Sequence, residues 1–319
     1  MTTRPNISVA TPVSDAIERT KQILFRPFDL TRWFVIGFSA WLATLGEGGY
    51  GLNFPGAGGG HGSDHGGPPN FKQGFEQARD YFVHNLFWII PLIALVLIVC
   101  IGLGILVIWV SSRGKFMFLH CVSLNKAEIA EPWRKYATLA NSLFVFRLVL
   151  SLVGLVLTLP ILIVGGVITF GMMTNHSSSV VGILCLIGLV MIFILLIIVF
   201  ALINLFTRDF VVPIMFRQGK RCVESWAIFR RMLAANAGQF VLYVLFQIVL
   251  GMGIASVIVG VVLLTFCIAG CLLAIPYLGS VLLLPVLVFR RAYALHYLAQ
   301  YGPEYNVFPA PAYSVASGA

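Results

Sequence analysis

Acidic residues are scarce in this chain: Asp and Glu number 12 among 319 residues, against 21 Lys and Arg. None of the 12 falls inside its six long apolar stretches; Glu47 and Asp209 stand at the ends of two of them. An enzyme working inside a membrane needs paired acids, a partnered His or an activated nucleophile, and proton-coupled transport places ionisable groups at membrane depth. The stretches supply almost none of these. No Gly-Lys-Ser/Thr triplet follows the glycines, so a phosphate-binding loop of the P-loop kind is excluded. The six cysteines make no disulfide framework, because Cys100, Cys185 and Cys267 lie in apolar stretches while Cys121 and Cys222 are expected on a reducing side. Asp15 and Glu18 interrupt the first apolar approach, and no cleavable signal peptide is expected. No catalytic, cofactor-binding or metal-binding residue is assigned, and no cofactor is expected.

What the chain does have is apolar length. Hydrophobic residues make up 59% and charged ones 10%, with a mean hydropathy of +0.94, outside the range of soluble globular domains. A bilayer core of roughly 30 Å takes about 20 apolar residues as helix, and lipid leaves no other way to satisfy the backbone of a single span. The fold class is therefore an all-α membrane protein with six transmembrane helices: Trp33 to Gly46, Leu86 to Val110, Leu143 to Phe170, Val180 to Phe206, Phe240 to Phe266 and Ile268 to Phe289. The first is short, about 21 Å at ~1.5 Å per residue, and must borrow flanking turns or thin the bilayer. Arg147 stands one turn inside the third, where its stem is expected to snorkel to the interface. Pro91, Pro160, Pro276 and Pro285 are expected to kink their helices rather than break them.

Of the 21 basic residues, only Lys72 and Arg79 occupy an odd-numbered loop. The positive-inside rule then places the other 19, and both termini, in the cytoplasm. This asymmetry accounts for the net charge of +9 without a nucleic-acid partner.

Between the spans, amphipathic segments are expected to lie along the inner leaflet. Ile129, Trp133, Tyr136, Ala137 and Ala140 recur at helical spacing beside Arg134 and Lys135. Val223, Trp226, Phe229 and Leu233 do so beside Lys220, Arg221, Arg230 and Arg231. Ile17, Thr20 and Leu24 give a weaker version before the first span, and Phe71, Phe75, Ala78 and Phe82 an outer one. Glu131-Pro132-Trp133 and Glu224-Ser225-Trp226 are 93 residues apart, and Asp15-Ala16-Ile17 precedes the first of them by 116. The excess of 23 equals the Gly-rich run from Glu47 to Pro69. Three parallel two-span repeats, each led by an interfacial helix, follow from that spacing, with an insertion in the first hairpin.

One membrane domain, 1–305, is expected, with an outer Gly-rich loop at 47–69 and a flexible tail at 306–319. His61, Asp64 and His65 in that loop have metal-ligand character, but the surrounding glycines argue against a preformed metal site. Trp133, Arg134, Lys135, Arg221, Trp226, Arg230 and Arg231 are the lipid or interface candidates, expected to meet anionic membrane lipids. Asn204 and Gln247 are the candidates for a solute path, against the more common role of joining helices by hydrogen bonds.

Pro27-Phe28-Asp29 with Arg32-Trp33-Phe34, the run from Arg208 to Met215, and the run from Tyr297 to Tyr305 together resemble an uncharacterised family of bacterial six-span integral membrane proteins. That family is loosely similar to the membrane domain attached to some glycerophosphodiester phosphodiesterases. The resemblance implies the bacterial inner membrane and transfers no active-site residue. The expected function is non-enzymatic: organising lipids or partner proteins through basic cytoplasmic helices, with a protein partner or homo-oligomer as a further expectation. The alternatives are a permease or channel for a small or lipid-like solute, and an interfacial enzyme using His120 or Asp209.

Overall fold

The computed structural model describes residues 7–26, 28–45, 86–174, 180–265 and 268–309, and all of its regular elements are helical. In chain order they are α1 (Thr11–Leu24), α2 (Leu30–Thr44), α3 (Leu86–Leu124), α4 (Ala130–Lys135), α5 (Ala137–Thr174) and α6 (Val180–Phe206). A π-helical turn (Thr207–Val211) follows, then α7 (Val212–Gln218), α8 (Cys222–Ala235), α9 (Ala237–Leu264), α10 (Ile268–Ala274), α11 (Pro276–Leu282), α12 (Leu284–Ala299) and a short 3₁₀ turn (Pro303–Tyr305).

Four described stretches, Ile90–Leu124, Ala137–Met172, Val180–Gln218 and Ala237–Leu264, are long and apolar enough to cross a membrane. Large apolar side chains such as Leu97, Leu152, Leu195 and Val257 stay more than half exposed in them. Water charges about 25 cal/mol per Å² for such surface, and a bilayer removes that cost. The stretches suit a multipass membrane protein.

The first predicted span corresponds to α2, 15 residues long. Asp29 starts it by accepting the Thr31 amide at 2.8 Å. The sixth is not one helix but α10, α11 and α12. Pro276 opens α11 after an extended Ile275, and Pro285 sits in the first turn of α12. Proline lacks the amide needed to continue a helix and pushes its predecessor out of helical geometry, so the expected kinks at these two positions are breaks. Pro91 and Pro160, by contrast, stay inside continuous helices.

The long helices meet at one end in a packed body. Its core draws Ile23 from α1, Ile36 and Ala40 from α2, Phe116 and Leu119 from α3, Leu143 from α5, Phe229 from α8, Tyr243 from α9 and Tyr293 and Tyr297 from α12. Phe210 in the π turn is ringed by Phe229, Phe240 and Tyr243, with ring centroids 5.2, 5.2 and 4.9 Å away. The three amphipathic segments lean on the helix pair next to them: α4 on α3, α8 on the π turn, and α1 on α12. Their buried faces match the expected stripes in part: Thr20 and Leu24 of the first, Ala140 of the second and Phe229 of the third are buried, but the edges differ. In α8 Cys222, Ser225, Phe229 and Met232 are buried while Val223 is 72% exposed, and in α1 Ala16 and Ile23 are buried while Ile17 is exposed. These faces contact protein core, and that contact sets the register.

Candidate functional site

Basic residues follow three of the apolar stretches: Arg113 and Lys115 on α3, Arg208 after α6, Arg290 and Arg291 on α12. The fold brings four of these five to one cavity. Lys115, Arg208, Arg290 and Arg291 line a space of about 50 Å³ together with Asp209, Thr44, Ala43, Phe118 and Leu287. Lys115, Asp209 and Arg291 are buried, at 4%, 3% and 6% exposure.

Local structure explains the convergence. A π turn widens the helix by one residue and re-aims the side chains on it; here it runs from Thr207 to Val211 and carries both Arg208 and Asp209. Thr207 Oγ1 donates to the Ile203 carbonyl at 2.6 Å. Asp209 is held from two sides. Arg208 Nε donates to its Oδ1 at 2.9 Å, and the Tyr243 hydroxyl from α9 donates to its Oδ2 at 3.0 Å. The Tyr243 oxygen in turn accepts from Gln247 Nε2 at 2.8 Å. Arg291 Nη1 donates to the Arg208 carbonyl, tying α12 to the same turn. On the far wall Gly114 lets α2 and α3 touch, since a Cβ there would lie 2.5 Å from the Leu42 carbonyl carbon.

The cavity lining thus carries four cations and one carboxylate, and Asp209 already accepts from Arg208 and Tyr243.

A second cavity, of about 180 Å³, lies among α3, α5 and α6, lined by Ile108, Arg147, Leu150, Ser151, Gly154, Phe200 and Asn204. Arg147 does not snorkel. It is 8% exposed and donates Nη1 to Ser111 Oγ at 3.0 Å, because the serine pair on α3 offers it acceptors inside the helix packing.

The residues singled out from the sequence fall in several places. Asn204 is exposed at the second cavity, whereas Gln247 is buried in the Tyr243 and Asp209 network, so the two do not share one cavity. Trp133 is half-buried and shares the Arg113 guanidinium with Trp109, 5.0 and 4.6 Å from the ring centroids. Arg134 and Lys135 are exposed, Lys135 lying 3.9 Å from Glu131. Trp226 packs against Phe146 and Phe229 on the core, and Arg221, Arg230 and Arg231 face outward. His120 meets Tyr136 and Glu128 and is not among the residues around Asp209's cavity. His61, Asp64 and His65, the whole Gly-rich loop at 47–69, the outer stripe of Phe71, Phe75, Ala78 and Phe82, and residues 310–319 of the tail lie outside the described residues.

Two groups of the packed body have displaced protonation equilibria. Burial pushes the Cys222 thiol up to about 12, with Lys115 pulling the other way. Burial holds His296 below its ordinary value, opposed by Asp15 and reinforced by Arg19.

Sequence reasoning does not assemble Lys115, Arg290 and Arg291 with Thr44. The one available signal is the recurrence of basic residues directly after the even-numbered apolar stretches. The model of a family of unknown function (DUF7544) matches residues 7–284. No curated protein and no solved structure matches the chain.

Proposed function

The chain belongs to the DUF7544 family, a family of unknown function, and on that premise we propose that it is a non-enzymatic inner-membrane protein that gathers anionic lipids, or partner proteins held with them, on a basic cytoplasmic face. One observation carries this reading. Arg217, Lys220, Arg221, Arg230 and Arg231 are all exposed along α7 and α8, with Glu224 the one acid between Arg217 and Arg231. That row stands beside the start of the apolar belt. Ser142 Oγ accepts the Cys222 amide at 3.0 Å and Trp226 meets Phe146, while Val145 and Val149 on the same α5 turns are exposed. Cations next to a lipid-exposed apolar surface sit at headgroup depth, where each contributes about 1 kcal/mol, weakened by salt.

The same proposal includes six spans, with α2 and the α10 to α12 segment completing the four long helices, both termini inside, and three parallel hairpins. The cyclic leaning of α4 on α3, α8 on the π turn and α1 on α12 supports the repeat. A likeness to the membrane domain of glycerophosphodiester phosphodiesterases belongs to the proposal as well and brings no catalytic residue. Reversing charge at Arg134, Lys135, Arg230 and Arg231 is expected to lower the anionic lipid that co-purifies with the protein; unchanged lipid content would refute the reading. The permease reading draws on the second cavity alone, where Asn204 and Arg147 share an otherwise largely apolar space.

A further inference from the structure

We infer that the cavity among α3, α5 and α6 is a binding site for the glycerol-ester segment of a membrane diacyl lipid, with a lipid ester carbonyl accepting a hydrogen bond from the Asn204 side-chain amide. The inference rests on the membrane placement of these helices and not on the basic row of α8.

Asn204 carries it. Every other residue of α6 is apolar, Gly or Cys, and the Asn204 amide makes no hydrogen bond to any described residue. A carboxamide facing hydrocarbon without a partner is costly, because lipid tails offer it nothing. Gln247 on α9 is the contrast: it is buried and its amide donates to Tyr243 at 2.8 Å. The neighbouring polar groups of the cavity are otherwise engaged. Ser151 Oγ donates to the Leu148 carbonyl at 2.8 Å, and Arg147 Nη1 donates to Ser111 Oγ at 3.0 Å. The donor left for a ligand is the Asn204 amide.

Depth selects the ligand's chemistry. Asn204 stands four residues before Arg208 and Ile108 five before Arg113, which at ~1.5 Å per residue puts them about 6–8 Å along the helices from those cations. Basic residues at the ends of spans mark headgroup level. The interfacial region of a bilayer is roughly 5–7 Å thick on each side, and the ester carbonyls of diacyl lipids lie at its inner edge. Esters bring acceptors and no donor, which is what an unpartnered N–H₂ requires. A sugar or an amino acid would bring more donors than the Asn204 and Ser151 oxygens can accept.

Size and surroundings select the segment. About 180 Å³ is below the ~300 Å³ at which pockets begin to enclose drug-sized molecules, so part of a lipid enters and the rest stays outside. Gly154 leaves the room, since a Cβ there would already lie 3.4 Å from Phe200 Cε1 on the opposite wall. The acyl chains have a continuous path beyond the cavity, because Leu152 and Leu155 on α5 and Ile197 and Ile198 on α6 are all exposed.

The test uses the full-length protein, purified in detergent and delipidated. It is titrated with an ester-linked phosphatidylcholine and with the ether-linked analogue of the same headgroup and chain length, and bound lipid is counted by native mass spectrometry. The ester lipid is expected to fill a first site about 3- to 10-fold more tightly, the worth of one hydrogen bond in a membrane. Asn204→Leu, an apolar replacement at an exposed position of an apolar helix, is expected to remove that preference. Gly154→Leu, which fills the cavity, is expected to remove the first site for both lipids. The headgroup is zwitterionic, so Arg230→Glu with Arg231→Glu is expected to keep the ester preference while lowering co-purified anionic lipid; failure of the basic-face reading and failure of this one are thereby told apart. Equal binding of the ester and ether lipids refutes the site, and so does a preference that survives Asn204→Leu. A dimer that becomes a monomer in Asn204→Leu would give the amide to a second copy of the chain, and a small polar solute retained by the native protein and lost in Asn204→Leu would give the cavity to a solute path; either overturns the inference. Where a variant fails to fold, the ester and ether comparison on the native protein decides.

Discussion

The Tyr243 hydroxyl on α9 donates to Asp209 Oδ2 in the π turn at 3.0 Å, and both residues are buried. A carboxylate at such a position needs its acceptor sites filled, because an unsatisfied buried charge costs more than the bond itself contributes. Tyr243→Phe keeps the ring packing on Phe210 and Tyr297 and removes one donor. The expected loss is about 1–3 kcal/mol, read as a lower unfolding midpoint in detergent. Gln247→Leu is expected to cost less when combined with Tyr243→Phe than in wild type, since its amide then has no hydroxyl to reach. Additive losses would show that the three residues do not act as a network.

Gly114 fixes how closely α2 approaches α3. A Cβ there would lie 2.5 Å from the Leu42 carbonyl carbon and 2.6 Å from the Ala43 nitrogen, backbone atoms that cannot rotate away. Gly114→Leu is therefore expected to separate the helices, at a cost of about 1–3 kcal/mol or more. The pair gives its own reporter. Ser39 Oγ lies 3.9 Å from Cys121 Sγ, so Ser39→Cys should form a disulfide with the native Cys121 under mild oxidant. Cross-linking in the single variant, and its loss when Gly114→Leu is added, would check the contact; cross-linking unaffected by Gly114→Leu would count against it.

Helix class and the four long spans are legible because lipid-exposed stretches must be apolar on every face, and composition alone records that. The edges of the packed body are less legible. Val223, Trp226, Phe229 and Leu233 make an apolar stripe on α8 by residue type, yet Cys222 and Ser225 are buried and Val223 is exposed. Small residues are taken inside where a neighbouring helix comes close, and a hydropathy stripe gives them little weight. Pro276 and Pro285 read as kinks from the sequence, since prolines are often tolerated inside spans; the deciding factor is whether neighbouring segments hold a continuous helix together, which sequence does not record. The cation pocket is half legible. Basic residues after the even-numbered apolar stretches are visible as a pattern, but the π turn that directs Arg208 and Asp209 toward Lys115 and Arg291 has no signature in residue type.

His296 makes stability depend on pH in one direction. Its ring stacks on Phe308, centroids 4.3 Å apart, and burial lowers its proton affinity, with Arg19 adding to the effect and Asp15 opposing it. A histidine free in the unfolded chain titrates near ~6.5. Above that value both states are neutral and the residue contributes no pH dependence. As pH falls through about 6.5 the unfolded state takes up a proton that the folded state still resists, so stability declines, levelling off once the folded pKa is passed. Each pH unit of separation between the two pKa values corresponds to about 1.4 kcal/mol. His296→Phe is expected to flatten the fall in Tm between neutral and mildly acidic pH. An unchanged slope would show that other groups set it.

The proposed orientation can be read with cysteine labels, and the structure decides which positions to use. Ser225 is fully buried, so a cysteine there would resist labelling on either side of the membrane and report nothing. Val223, on the neighbouring turn of α8, is 72% exposed and serves instead. Among the described cysteines the background is favourable, because Cys121 and Cys222 are buried and the Cys222 thiol is pushed up to about 12, far from the thiolate that maleimides attack. Cys100, Cys185 and Cys271 are exposed among apolar side chains, a setting where lipid would shield them from a charged, impermeant reagent. With the native protein labelled first as the baseline, Ser63→Cys and Ser178→Cys are expected to react in intact cells, and Val223→Cys only after permeabilisation. Labelling of Val223→Cys in intact cells would place α8 and its basic row on the outer face, and the proposed interaction with cytoplasmic-leaflet lipid would fall with it.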